Sequence, residues 1–188
     1  MADSDVPSLT DIGTAFTDAD ELYIADGGVT DKKCTLKNLL NHAPAFGGIY
    51  VASGSATQSI TAAGGQTKIT QFAQNSGNSE DVTEDHTNDI LTPTRTGYYL
   101  VGYQVSFTGQ NSTTYAFVPR YNGTNINMAV CRRKLGTGSD VGSCCAIGIL
   151  DVTAASQNLD LTIQKITGSD GNVTIVDGSL WMVRLGWT

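Results

Sequence analysis

In the segment GYYLVGYQVSFTG, residues 97–109, the alternate residues Tyr99, Val101, Tyr103, Val105 and Phe107 form one unbroken apolar row. The other row, Tyr98, Leu100, Gly102, Gln104 and Ser106, is apolar at one end and polar at the other. Alternation of this length marks a strand, because successive side chains of extended backbone point to opposite faces. The C-terminal segment GSLWMVRLGWT is also apolar on both faces: Trp181, Val183 and Leu185 alternate with Leu180 and Met182, and only Arg184 is charged. A strand with one solvated face alternates cleanly between apolar and polar residues. These two do not, so the sheet that holds them is expected to be covered on both sides. One cover is the opposite sheet of a sandwich. The other is a second copy of the protein, with a loop or the N-terminal arm as the plainer alternative. On this argument Tyr98, Leu100, Leu180 and Met182 are assigned to a subunit interface.

The rest of the chain fits an all-β protein. Of 188 residues only 15% are charged, and Gly, Ser, Thr and Asn are abundant, which favours strands and turns over long helices. Candidate strands run over 49–52, 67–72, 97–108, 114–121, 125–135, 143–152, 159–167 and 179–185. Their even spacing, without helix–strand alternation, predicts an antiparallel β-sandwich or barrel and argues against a parallel α/β enzyme. Two parts are expected, residues 1–46 and residues 47–188. Residues 1–20 read as an extended arm. Leu22-Tyr23-Ile24 reads as a strand, Asp26-Gly27-Gly28 as a turn, and Lys32–Thr35 as a return strand. Thr35 then caps a short helix through Leu40. Such a unit is too small for a core of its own and is expected to pack on another surface.

Charge and leader signals narrow the partners. The formal net charge is −7 and no basic stripe exists, so neither nucleic acid nor an anionic membrane surface is an expected partner. The N-terminal residues lack a basic and apolar leader, and no run of about eighteen apolar residues could span a bilayer. Reduced thiols are therefore expected at Cys34, Cys131, Cys144 and Cys145.

The segment CRRKLGTGSDVGSCCAIGILDV, residues 131–152, is the strongest candidate for chemistry. Its glycines, Gly136, Gly138 and Gly142, do not have the dinucleotide-loop spacing, no Walker lysine is present, and the sequence that follows is strand-like. It reads as a hairpin loop. Cys144 and Cys145 should point to opposite faces of a strand, one into the core, with Cys131 placed to reach one of them. The histidines are His42 and His86. His86 lies in the acidic stretch 75–89, where Glu80, Asp81, Glu84, Asp85 and Asp89 could hold Ca²⁺ but lack the spacing of a helix–loop–helix site. No residue is given a catalytic, cofactor-binding or metal-binding role, and no cofactor is expected.

Three segments carry a resemblance. ILTPTRTGYYLVGYQVSFTG, CRRKL through LDLTIQK, and GSLWMVRLG resemble central and closing strands of the trimeric jelly roll of the tumour necrosis factor and complement-globular-head superfamily. Ala155-Ser156-Gln157-Asn158 stands where that family has a Gly-Asp turn, and no collagen-like stalk precedes the domain. DADELYIADGGVTDKKCTLKNLL is similar to units near the starts of tailed-bacteriophage fibre and head-surface proteins. Together these resemble phage capsid decoration (cement) proteins, head fibres and small tail fibres. The resemblance implies a non-enzymatic homotrimer with a jelly-roll β-sandwich, located on the virion and assembled in the host cytoplasm. It implies attachment to other virion proteins, such as the major capsid protein, through Leu22, Tyr23, Ile24, Leu36, Leu39 and Leu40. A receptor-binding knob that contacts host surface glycan or protein is the alternative; a polysaccharide hydrolase is a further one.

Overall fold

The computed structural model describes residues 21–24, 32–35, 44–52, 56–60, 65–138, 140–167 and 171–186. The chain divides into two compact units, Met1–Ala43 and Pro44–Thr188. In the first, β1 (Glu21–Ile24) and β2 (Lys32–Thr35) pair antiparallel, with Leu22 opposite Cys34 and Tyr23 opposite Lys33. The expected strand and return strand are therefore present. The expected arm 1–20, the turn at Asp26-Gly27-Gly28, the helix to Leu40 and the attachment residues Leu36, Leu39 and Leu40 lie outside the described residues, as do the side chains of Leu22, Tyr23 and Ile24.

The second unit is an antiparallel sandwich. Its strands are β3 (Phe46–Val51), β4 (Ala56–Ile60), β5 (Gln66–Lys68), β6 (Gln74–Asn75), β7 (Val82–Asp85), β8 (Ile90–Pro93), β9 (Gly97–Thr108), β10 (Thr114–Tyr121), β11 (Thr124–Asn125), β12 (Cys131–Lys134), β13 (Gly142–Val152), β14 (Leu159–Lys165) and β15 (Gly171–Gly186). Sheet I has the order β13-β9-β15-β3-β6, with β4 following β3 along the same side of β15. Sheet II has the order β11-β10-β14-β8-β7, with β12 also on β10 and β5 also on β14. Ala45, read from sequence as part of a junction, is fully buried in the core of this unit, and its carbonyl accepts the Arg184 amide.

Alternation places the core. In β14, LDLTIQK, Leu159, Leu161 and Ile163 point inward while Asp160, Thr162 and Gln164 point out. They meet the inward row of β9, in which Tyr99, Val101, Tyr103, Val105 and Phe107 are all buried. Phe107 packs edge-on to Tyr115 at 5.5 Å and to Phe117 at 4.8 Å between ring centroids, the geometry that the aromatic quadrupole favours. Buried hydroxyls are satisfied: Tyr103 Oη donates to the Phe117 carbonyl at 3.0 Å, and Tyr115 Oη accepts the Gln110 amide at 2.9 Å.

Two expectations about strands are corrected. The segment 125–135 is not one strand, because β11 and β12 are separated by a 3₁₀ turn at Asn127–Ala129. Both pair with β10, and the break falls opposite Pro119, whose carbonyl accepts the Ile126 amide but which has no N–H to return. The stretch 75–89 is not a solvated acidic loop either. It contains β7, which forms a hairpin with β8, and β8 in turn pairs with β14.

Candidate functional site: the outer face of sheet I

The long strands of sheet I lay their outward residues in rows across the sheet, since directly paired residues share a face. One row is Ile149, Leu100, Val183 and Phe46; the next is Ile147, Gly102, Trp181 and Gly48. Beside the first row stands Tyr98, and a register shift between Arg184 and Gly186 leaves Leu185 exposed. Ile147 is 58% exposed, Ile149 51% and Tyr98 44%, which makes a contiguous apolar patch on a sheet face. Gly102 is required by this arrangement. A Cβ there would lie 2.2 Å from Trp181 Cζ2, so the indole of β15 rests directly over the bare backbone of β9.

Further along the same strands the face turns polar. Cys145, Gln104, Ser179 and Tyr50 form one row, and Ser143, Ser106 and the neighbouring Asp177 follow. Gln104, Ser106, Ser143, Cys145 and Asp177 line a shallow depression there. The polar end expected for β9 from its sequence is thus shared by all three neighbouring strands.

Not every residue assigned to the interface lies on this face. Tyr98 and Leu100 do. Leu180 and Met182 do not: they pair with Tyr103 and Val101, point into the sandwich and are fully buried. Both rows of β15 are apolar, and Arg184 made the even-numbered row look like the outward one. Arg184 instead pairs with Tyr99 at the end of the sheet. The outward residues of β15 are Trp181 and Val183. Ile147 and Ile149 were missed as well, although a signal existed. In CAIGIL the larger residues occupy one row and Ala146 and Gly148 the other. Small inward residues suffice because Met128 and Ala129 of the 3₁₀ turn pack there; a Cβ on Gly148 would meet Met128 Cγ at 2.8 Å.

The chemical candidates are structural. Strand β12 belongs to sheet II and β13 to sheet I, so residues 135–141 connect two sheets and do not form the expected hairpin loop. Gly142 admits Leu135 and Phe107 against its backbone at the end of the core. Cys144 is buried and Cys145 exposed, the opposite-face arrangement expected of neighbours on a strand. Burial first, and then a hydrogen bond with Cys131, push the Cys144 thiol well above its ordinary range.

The carboxylates of the 75–89 stretch act separately. Glu84 accepts the Gly48 amide at 2.6 Å and the Gly77 amide at 3.2 Å. Asp81 pairs with Arg95 at 2.8 Å. Asp85 accepts the Asn88 side chain and amide, which hold its carboxyl below the usual range. Asp89 is buried and accepts the Phe72 amide, and burial raises its carboxyl above that range. His86 Nδ1 lies 3.0 Å from Asn75 Oδ1. Among the described residues no three His, Cys, Asp or Glu side chains converge where they could hold a metal ion, and no helix is long and apolar enough to cross a membrane.

Fold and face together define a class: an antiparallel jelly-roll sandwich with one sheet left apolar on the outside. Among solved structures it is similar to the Eiger TNF of S. frugiperda, with a TM-score of 0.57 and 14% identity over 77% of this chain and 94% of that one. Murine APRIL at pH 5.0 aligns with a TM-score of 0.49 and 15% identity over 74% of this chain and 99% of that one. No protein-family profile and no curated protein matches the sequence. The likeness to Eiger TNF shows a tumour-necrosis-factor-like jelly-roll fold, as the sequence resemblance implied.

Proposed function

We propose that this chain is a non-enzymatic homotrimer in which neighbouring copies cover the outer face of sheet I, and that it serves as a structural protein on the surface of a phage particle. The observation that carries the oligomer is the apolar patch of Ile147, Ile149, Leu100, Trp181, Val183 and Tyr98. Covering a half-exposed isoleucine contributes roughly 1 kcal/mol, so a patch of this size favours association over solvation. The jelly-roll fold supports a threefold arrangement, since the family that the sequence resembles is trimeric. The phage assignment rests on the similarity of residues 19–40 to attachment units. The β1–β2 hairpin, in a compact unit apart from the sandwich, supports attachment through residues 1–46.

Deleting residues 1–44 tests the division of labour. The shortened chain is expected to remain trimeric and to lose binding to particles, read by co-sedimentation. Binding that persists contradicts the anchor. Copy number on the particle then separates roles: hundreds fit capsid decoration, and a few dozen or fewer fit a fibre or receptor-binding knob.

A further inference from the structure

We propose that Cys131 and Cys144 are the two halves of an oxidisable staple between the sheets. Cys131 begins β12, the strand on the edge of sheet II, and Cys144 lies in β13 on the edge of sheet I. Their thiols are hydrogen-bonded neighbours across the sandwich. Both lie beside the buried hydroxyl of Tyr103, which accepts the Cys131 amide at 3.1 Å. Tyr103 Oη also donates to the Phe117 carbonyl, so the Cys131 backbone is held in place from both strands that flank it. Sequence alone left open whether Cys131 reaches Cys144 or Cys145. The structure distinguishes them, because Cys145 shares the outer face of sheet I with Gln104 and cannot meet Cys131 through the sheet.

Accessibility sets the order of events. Cys131 is half-buried whereas Cys144 is buried with a strongly raised thiol pKa, so an oxidised low-molecular-weight disulfide reacts first at Cys131. The Cys131 thiolate attacks one sulfur of that disulfide, forms a mixed disulfide and releases one small thiol. Cys144 then gives up its proton to solvent and attacks the Cys131 sulfur, which releases the second small thiol. Two protein thiols and one small disulfide become one protein disulfide and two small thiols. The scarcity of the Cys144 thiolate makes the second step slow. The product closes the short segment from Cys131 to Cys144 and ties together two sheets that side-chain packing otherwise joins at this edge. This inference is independent of the oligomer and of the phage assignment.

The test uses the full chain, reduced, desalted and then held folded in oxidised glutathione at neutral pH before alkylation and peptide mapping. The Cys145→Ser variant is mapped in parallel, because Cys144 and Cys145 share every tryptic peptide. A Cys131–Cys144 cross-link is expected in both proteins, reversed by reductant and absent from Cys131→Ser. The oxidised chain should also unfold at a temperature roughly 5–10 °C above the reduced one. Separate glutathione adducts that persist on Cys131 and Cys144, or a cross-link that disappears in Cys145→Ser, would overturn the proposal. So would one that joins Cys34.

Discussion

The two sheets turn similar faces to the core and opposite faces outward. On sheet II the outward rows are Arg120 with Asp160, Val118 with Thr162, and Ala116 with Gln164. Arg120 and Asp160 form two hydrogen bonds, at 2.9 and 2.8 Å, and Thr162 Oγ1 donates to the Val118 carbonyl at 2.8 Å. Polar side chains there complete one another and shield Val118 and Ala116, which are buried although they point away from the core. On sheet I the corresponding rows are Ile149 with Leu100 and Val183, and Ile147 with Trp181 over Gly102. No polar layer shields them. A sheet built to meet water carries its own polar cover, as sheet II does. Sheet I lacks one over its apolar half, and this identifies that half as a surface for another chain.

The largest effect expected from this comparison separates the two faces of β15. Leu180→Ala should cost about 2–5 kcal/mol in chemical denaturation, because the side chain is fully buried and its removal leaves a cavity. Ile149→Ala should cost a dissociated chain less than about 1 kcal/mol, since half of that side chain already meets water. Equal costs would mean that the faces are assigned the wrong way round.

A smaller effect is expected on sheet II. Arg120→Ala should lower stability by about 1–2 kcal/mol by breaking the forked pair with Asp160, and it should leave the assembly state unchanged. A change in oligomer mass would show that sheet II also takes part in association.

The smallest effect concerns Asp89, near the β7–β8 hairpin. Burial holds its carboxyl above the ordinary value, so the fold favours the protonated acid. That contribution is fully present below the unfolded carboxyl pKa of about 3.8 and is lost as pH rises through the folded value. At neutral pH the charge is therefore carried at a cost. Asp89→Asn keeps an acceptor for the Phe72 amide and tolerates the φ of +53° at this position. The variant should be as stable as the parent or up to about 1 kcal/mol more stable at pH 7, with the difference gone near pH 3. A clear loss at pH 7 would show that the carboxylate itself is needed.

Much of the fold was legible because long strands announce themselves. Strands β9, β10 and β13 fall within a residue of their sequence-derived bounds, since each combines a run of β-formers with turn residues at its ends. Strands β4, β6 and β7 were not legible. They are short, polar edge segments whose pairing depends on distant partners, such as Glu84 reaching the Gly48 amide. The outer face was half legible. Strand β9 revealed it, because its two rows differ sharply in polarity. Strand β15 did not reveal its phase, because both of its rows are apolar, and only the pairing of Leu180 with Tyr103 resolves which one faces inward. The thiol pair was legible only as a choice between two partners, since position in the chain does not say which face a sheet turns to the core.

The central claim is that copies of this chain cover the outer face of sheet I. It is tested most directly by sedimentation equilibrium of the full chain at micromolar concentration, beside the double variant Ile147→Asp, Ile149→Asp. The parent is expected at three times the chain mass, and the variant at one chain mass with an unchanged far-ultraviolet spectrum. A parent that sediments as a single chain, or a variant that stays fully trimeric, would contradict the account.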